Sequence, residues 1–200
     1  MRVPLALLLA ILALPRPAAA GGDFDALEAA AERVDALEPF LARYVGRCPD
    51  SIEKRVCLEN VAAARRSVAG KTFVVRIPDA TSLVKPQLRD GAFLLLFTPF
   101  VDGGGLALTH GAPTGQDRAG QPLIGLIPIK GTVPPGVMDL EFESPFRTGA
   151  VELEIVFRPE RTWKLARKGE AGSYEGVAAR FLGVRLIDAR TGTPIVAKVL

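Results

Sequence analysis

The stretch Ala150–Glu160, AVELEIVFRPE, alternates apolar and polar residues at a period of two. Val151, Leu153, Ile155 and Phe157 fall on one side, and Glu152, Glu154 and Arg158 on the other. Successive side chains of a strand point to opposite faces. The pattern therefore predicts a half-solvated strand at Ala150–Arg158 with one dry and one wet face, as in an antiparallel sheet. By contrast AFLLLFTPF, at Ala92–Phe100, is apolar on both sides and predicts a central or covered strand.

Working outward, alternation broken by Gly and Pro runs from Lys71 to the end of the chain. It predicts further strands at Thr72–Ile77, Ala92–Val101, Leu106–Thr109, Leu123–Ile129, Met138–Phe142, Gly176–Asp188 and Ile195–Leu200. RAGQPLIG at Arg118–Gly125 is echoed by RTGTPIVA at Arg190–Ala197. In both, a glycine suits a turn and a proline can open the returning strand, so two similar hairpins are the economical reading. No strict alternation of strand and helix is present, so no parallel sheet is expected. Residues 71–200 are predicted to form an antiparallel β-sandwich, or a partly open barrel, of about seven to eight strands.

Residues 21–70 are of another kind, rich in Ala, Leu, Glu and Arg. Phe24, Leu27, Ala31, Val34, Leu37, Leu41, Tyr44 and Val45 recur at spacings of three and four, which places them on one helix face. With Glu38 before it, Pro39 suits the first turn of a second helical segment, which predicts a kink or break there. Asp50 and Glu53 have the spacing of a capping box before a second helix, whose apolar stripe is Ile52, Val56, Val61 and Val68 and whose stop is Gly70. The fold class expected is thus α+β, an N-terminal helix pair followed by the β domain.

Residues 1–20, MRVPLALLLAILALPRPAAA, have an early cation, an apolar run and small residues at the end. That order predicts a secretory signal peptide cleaved after Ala20, the apolar run being shorter than the ~20 residues that span a bilayer. The leader carries Arg2 and Arg16 and no acid, so its removal lowers the formal charge from +3 to +1. A nearly balanced chain lacks the cationic excess that nucleic acid demands. Export to an oxidising compartment makes Cys48 and Cys57, the only cysteines, a predicted disulfide at the corner between the two helices. A secreted or periplasmic protein with no integral membrane segment after cleavage follows.

The segment Val101–Pro113, VDGGGLALTHGAP, holds three consecutive glycines and the single histidine, His110. A phosphate loop of the GxxxxGK[ST] type needs a lysine that is missing here. AGSYEG, at Ala171–Gly176, lacks both glycines of a serine-hydrolase elbow. With the cysteines bridged, too few ligands remain for zinc, and the acids after Asp102 do not follow a calcium loop, so no metal and no cofactor is expected. Glu141 with Glu143, and Glu152 with Glu154, read as carboxylates sharing a solvated strand face. Phe93, Phe97, Phe100, Trp163, Tyr174 and Phe181 read as core aromatics, with a pocket lining as the alternative. Asp102–Gly105 reads as a hairpin turn, and Asp102, Thr109 and His110 are the candidate binding residues.

YVGRC with a following C-x-E-N helix, FTPFVDGGGLALTHGAPTGQDRAGQP and the closing FLGVRLIDARTG resemble an uncharacterised family of small secreted proteins from Gram-negative, predator-type soil bacteria. The resemblance implies a family signature but no activity, cofactor or catalytic residue. The function expected is a non-enzymatic binding or structural-interaction module of the cell envelope, its partner another envelope protein or an apolar ligand. Two alternatives accompany it: a hydrolase or lyase joining His110 to Asp102 or Asp117, and a carrier of lipid or another apolar ligand inside the sandwich.

Overall fold

A computed structural model describes residues 22–48, 53–169 and 171–200. The expected leader and its cleavage point, and the Asp50 half of the capping box, lie outside the described residues. In chain order the elements begin with helix α1 (Gly22–Ala29), strand β1 (Glu32–Val34), helix α2 (Leu37–Val45), helix α3 (Lys54–Val68) and strand β2 (Phe73–Ile77). A short 3-10 turn (Ala80–Leu83) leads to β3 (Val84–Arg89), β4 (Ala92–Phe97), β5 (Phe100–Asp102), β6 (Ala107–His110) and β7 (Ile127–Thr132). Helix α4 (Asp139–Thr148) precedes β8 (Val151–Ala166), β9 (Ser173–Asp188) and β10 (Thr193–Val199).

The strand read from AVELEIVFRPE is the organising one. It runs on to Ala166 and pairs with β9 along its whole length, antiparallel, through two register shifts, at Val156/Phe157 and Pro159/Arg161. The large sheet grows from this ribbon in the order β1-β2-β8-β9-β6-β5, with β10 also on β9. A second sheet, β3-β4-β7, is antiparallel, and neither sheet closes into a barrel. The expectation of purely antiparallel pairing is corrected: β1 pairs parallel with β2, and β6 parallel with β9. Helices α2 and α3 form the crossover that the first parallel pair requires, and β6 reaches β9 through the long excursion that includes β7, α4 and β8.

Side chains fill the space between the sheets. Leu153, Ile155, Phe157, Phe181 and Leu186 from the large sheet meet Phe93, Leu95, Phe97 and Ile129 from the small one, all buried. Each such side chain contributes roughly 1.5–3 kcal/mol on leaving water. Of the six aromatics expected in the core, Phe93, Phe97 and Phe181 are buried there, whereas Phe100, Trp163 and Tyr174 are only partly buried. On the opposite face of the large sheet, Phe24 of α1 packs with Val74 and Val156 in a second, smaller cluster.

Several boundaries move. The apolar stripe from Phe24 to Val45 is interrupted earlier than Pro39, since the chain is already extended at β1, while Pro39 sits, as expected, in the first turn of a second helical segment, α2. The two halves of the stripe serve opposite faces of the sheet: Phe24 and Leu27 join the outer cluster, while Leu37, Leu41 and Tyr44 join the main core. Met138–Phe142 is not a strand but the start of α4, where Phe142 and Phe146 are buried one turn apart and Glu141 accepts the Met138 amide at 3.2 Å. Glu141 and Glu143 therefore do not share a sheet face, since residues two apart on a helix diverge. The Ala92–Val101 strand is cut at Thr98-Pro99, and Leu123–Ile129 shifts forward to β7. Of the paired turn motifs, Arg190–Ala197 joins β9 to β10, whereas Arg118–Gly125 closes a loop with only a single bridge, Gln116 to Pro122.

Candidate functional site

The triglycine segment is the turn between β5 and β6. Asp102 Oδ1 accepts the Gly105 amide at 2.9 Å, and Gly103 N–H donates to Leu106 O at 2.7 Å. Two glycines answer two demands. Gly105 has φ +80°, in the left-handed region, with open space beside it, whereas a Cβ on Gly103 would stand 2.8 Å from Leu41 and 3.1 Å from Leu37. The hairpin tip is thus pressed against the buried side of α2.

The predicted site residues do not converge. Thr109 is buried, donates to Gly111 O at 2.6 Å and accepts the Trp163 indole N–H at 3.0 Å. His110 Nδ1 accepts the Phe181 amide at 3.0 Å, and its ring lies against the Phe181 ring. Burial pushes the imidazole pKa below its ordinary value; Glu160 opposes that shift and Arg180 adds to it. Asp102 stands opposite Ala107, three residues from His110 along the hairpin, which is roughly 10 Å at strand rise. Asp117 Oδ1 is held by the Gln121 amide at 2.9 Å in its own turn. The nucleophile-activating or acid–base pair postulated for His110 with Asp102 is not assembled.

Beside the same hairpin lies a small recess of about 210 Å³ walled by Phe100, Tyr174 and Glu175. Its carboxylate is already committed: Lys164 Nζ lies 2.6 Å and Arg47 Nε 3.5 Å from Glu175, and Ser173 donates to it at 2.9 Å. The Lys164 hydrogen bond is the main reason the Glu175 carboxyl sits below the usual range.

A second surface lies between α2 and α3. Cys48 and Cys57 form the expected disulfide and tie the end of α2 to α3. Gly46, φ +69°, ends α2 so close to Val61 that a Cβ there would overlap its side chain. Arg65 of α3 donates to Tyr44 O at 2.8 Å and Val45 O at 3.0 Å, capping carbonyls that the helix leaves open. Clamped at this end and faced with Ala42, Ala63 and Ala64, the two helices leave a trough between them. An open lobe of about 700 Å³ and an inner lobe of about 330 Å³ share Arg43, Ala64 and Ser67.

The inner lobe has an apolar floor of Val34, Phe40, Val68 and Phe73 and a polar rim of Arg33, Arg43, Lys71 and Glu32. Tyr44, only 7% exposed, lines it. Burial raises the phenol pKa, Arg65 opposing and Glu160 reinforcing the shift. Arg33 is paired with Glu28 at 3.0 Å and Lys71 with Glu32 at 2.7 Å, but Arg43 has no ion-pair partner among the described residues. A mostly apolar recess of this size with a few convergent polar groups has the character of a small-molecule site. The sequence reading passed over both residues. Tyr44 enters it only as part of an apolar stripe, and Arg43 does not enter it.

The chain belongs to a family of unknown function, DUF6066, which it matches over residues 1–198. No curated protein and no solved structure matches it.

Proposed function

We propose that this member of the family is a non-enzymatic binding protein that works outside the cytoplasm, in the cell envelope or beyond it, with the trough between α2, α3 and β1 as its ligand surface. The observation that carries the reading is the make-up of the inner lobe: an apolar floor of Val34, Phe40, Val68 and Phe73 with Tyr44 and Arg43, which has no ion-pair partner among the described residues, beside it. The Cys48–Cys57 disulfide supports an oxidising compartment. No helix among the described residues is long and apolar enough to cross a membrane. Against a His110-based hydrolase stands the use of its Nδ1 lone pair by a backbone amide. Against a carrier with its cargo between the sheets stands the side-chain packing that fills that space.

The test is amide NMR on the full chain in its oxidised form, titrated with a fragment library of mixed charge. Shifts that converge on Arg43, Tyr44 and Ser67 support the reading. Shifts confined to the His110 loop, or conversion of fragments to new products, overturn it.

A further inference from the structure

We infer that the trough takes an amphiphilic anion: one apolar chain or ring ending in a compact oxyanion head. The inference rests on the reading of the trough as a binding surface and adds the chemistry of what it binds. Three cations, Arg33, Arg43 and Lys71, rim the inner lobe against one carboxylate, Glu32. Two of the three are already neutralised by neighbours, so the head is assigned to Arg43, where the two lobes meet. A guanidinium presents a planar fork of donors that matches a carboxylate or phosphate bidentately, and it keeps its charge at every accessible pH. Tyr44 adds a neutral donor one residue away on the wall of the same lobe. Its raised pKa keeps that hydroxyl protonated, so it donates to the anion and does not repel it.

The rest of the lobe wants an apolar group. Phe40 and Phe73 lie with ring centroids 5.1 Å apart and, with Val34 and Val68, line the same lobe as Arg43. A free inorganic anion would leave that patch uncovered, and a neutral hydrocarbon would leave the arginine unanswered. An oxyanion with an apolar tail satisfies both. A cationic ligand is excluded by the surplus of positive charge on the rim, and screening by salt must weaken the attraction.

The experiment compares four probes of equal chain length by calorimetry and amide NMR on the oxidised full chain: decanoate, decyl phosphate, decanol and decyltrimethylammonium. Decanoate or decyl phosphate is expected to bind at the trough, the preferred one distinguishing a carboxylate from a phosphate head. Decanol is expected to bind about tenfold more weakly, and the ammonium not at all. Arg43 is exposed, so Arg43→Ala should fold normally, and it should weaken the anion about tenfold without changing decanol. Tyr44→Phe keeps the ring and should weaken the anion by several fold. Decanol or the ammonium shifting the Arg43 and Tyr44 amides as strongly as the anions overturns the anionic assignment and leaves the trough a binding surface. Silence of those amides to every probe and to the fragment library overturns both.

Discussion

The Nδ1 atom of His110 accepts the amide of Phe181 at 3.0 Å, at the point where the outer edge of β9 changes partner. Strand β6 covers that edge at Gly176–Ala179 and β10 covers it at Gly183–Asp188. The Phe181 amide falls in the gap, and the imidazole supplies the acceptor that a third strand would have given. The single histidine is thus a sheet-completing side chain, which accounts for its place at the end of β6.

A pH dependence follows from that bond. Nδ1 can accept only while it carries no proton, and burial, with Arg180, already holds the pKa below its ordinary 6.5. A depressed folded-state pKa means that the unfolded chain takes up the proton first. The stabilisation is therefore complete above about pH 6.5 and falls as the pH drops from there through the folded pKa. His110→Ala should cost about 1 kcal/mol at neutral pH, and the gap between wild type and variant should close toward pH 5, measured by urea midpoints. A gap that is constant with pH would show that the imidazole lone pair contributes nothing.

The glycines of the hairpin tip separate two causes that the sequence presents as one. Gly105→Ala meets no neighbour and should cost only the left-handed backbone, about 1–2 kcal/mol. Gly103→Ala has an ordinary φ but drives a methyl into Leu41 and Leu37, for about 1–3 kcal/mol of overpacking. Shortening the obstructing side chain with Leu41→Val should relieve Gly103→Ala and leave Gly105→Ala unchanged. Equal coupling in the two double mutants would refute the assignment.

What could be read in advance was whatever has a local period or a local spacing. The alternation in β8 indicated a strand but not its half-solvated face, since Glu154 and Val156 on the second face are buried, and the Cys48–Cys57 spacing indicated a bridge. The start of α4 was misread because Leu140 and Phe142 alternate with acids over five residues, and the burial of Phe142 and Phe146 one turn apart only shows over a longer window. The α1 and α2 stripe could not be divided from its period, since periodicity reports which side is apolar and not which sheet face receives it. Glu154 was assigned to water by alternation, yet α1 covers it. The trough residues were hidden for a related reason. That Arg43 lacks an ion-pair partner among the described residues, and that the His110 acceptor meets a donor 71 residues away, are tertiary facts with no local signature.

Trp163, the only tryptophan, gives a direct optical view of the β6 edge. Its indole N–H donates to Thr109, and its ring lies over Gly176, where a Cβ would stand 2.8 Å from the ring and 2.2 Å from the Ala107 carbonyl. Thr109→Val should orphan the indole, cost about 1–3 kcal/mol and shift the emission maximum, while Thr109→Ser should restore both. Gly176→Ala should exceed the Thr109→Val loss, because the obstructing carbonyl is backbone and cannot turn aside. An unchanged emission maximum in Thr109→Val would sink the assignment.

Arg185 fastens α1 to the outer face of the large sheet. Its Nε donates to Glu154 at 2.7 Å, its other nitrogens reach Asp25 and Glu28 of α1, and its guanidinium lies 4.6 Å from the centre of the Phe24 ring. Burial works against the charge, but Glu154 and Glu28 outweigh it and hold the arginine pKa above its ordinary value. Glu154 is 3% exposed, so it depends wholly on this partner, whereas Asp25 retains water. Arg185→Met alone should therefore cost about 3–5 kcal/mol, because it strands a buried carboxylate. Adding Glu154→Leu should recover most of that loss, since a well-packed apolar pair can replace a buried ion pair with little net change. In hydrogen exchange, the single variant should speed α1 amides selectively and leave the β8–β9 ribbon protected until global unfolding. If the double variant is no more stable than the single one, the stranded Glu154 charge is not the cause and the loss lies in the contacts of α1 alone.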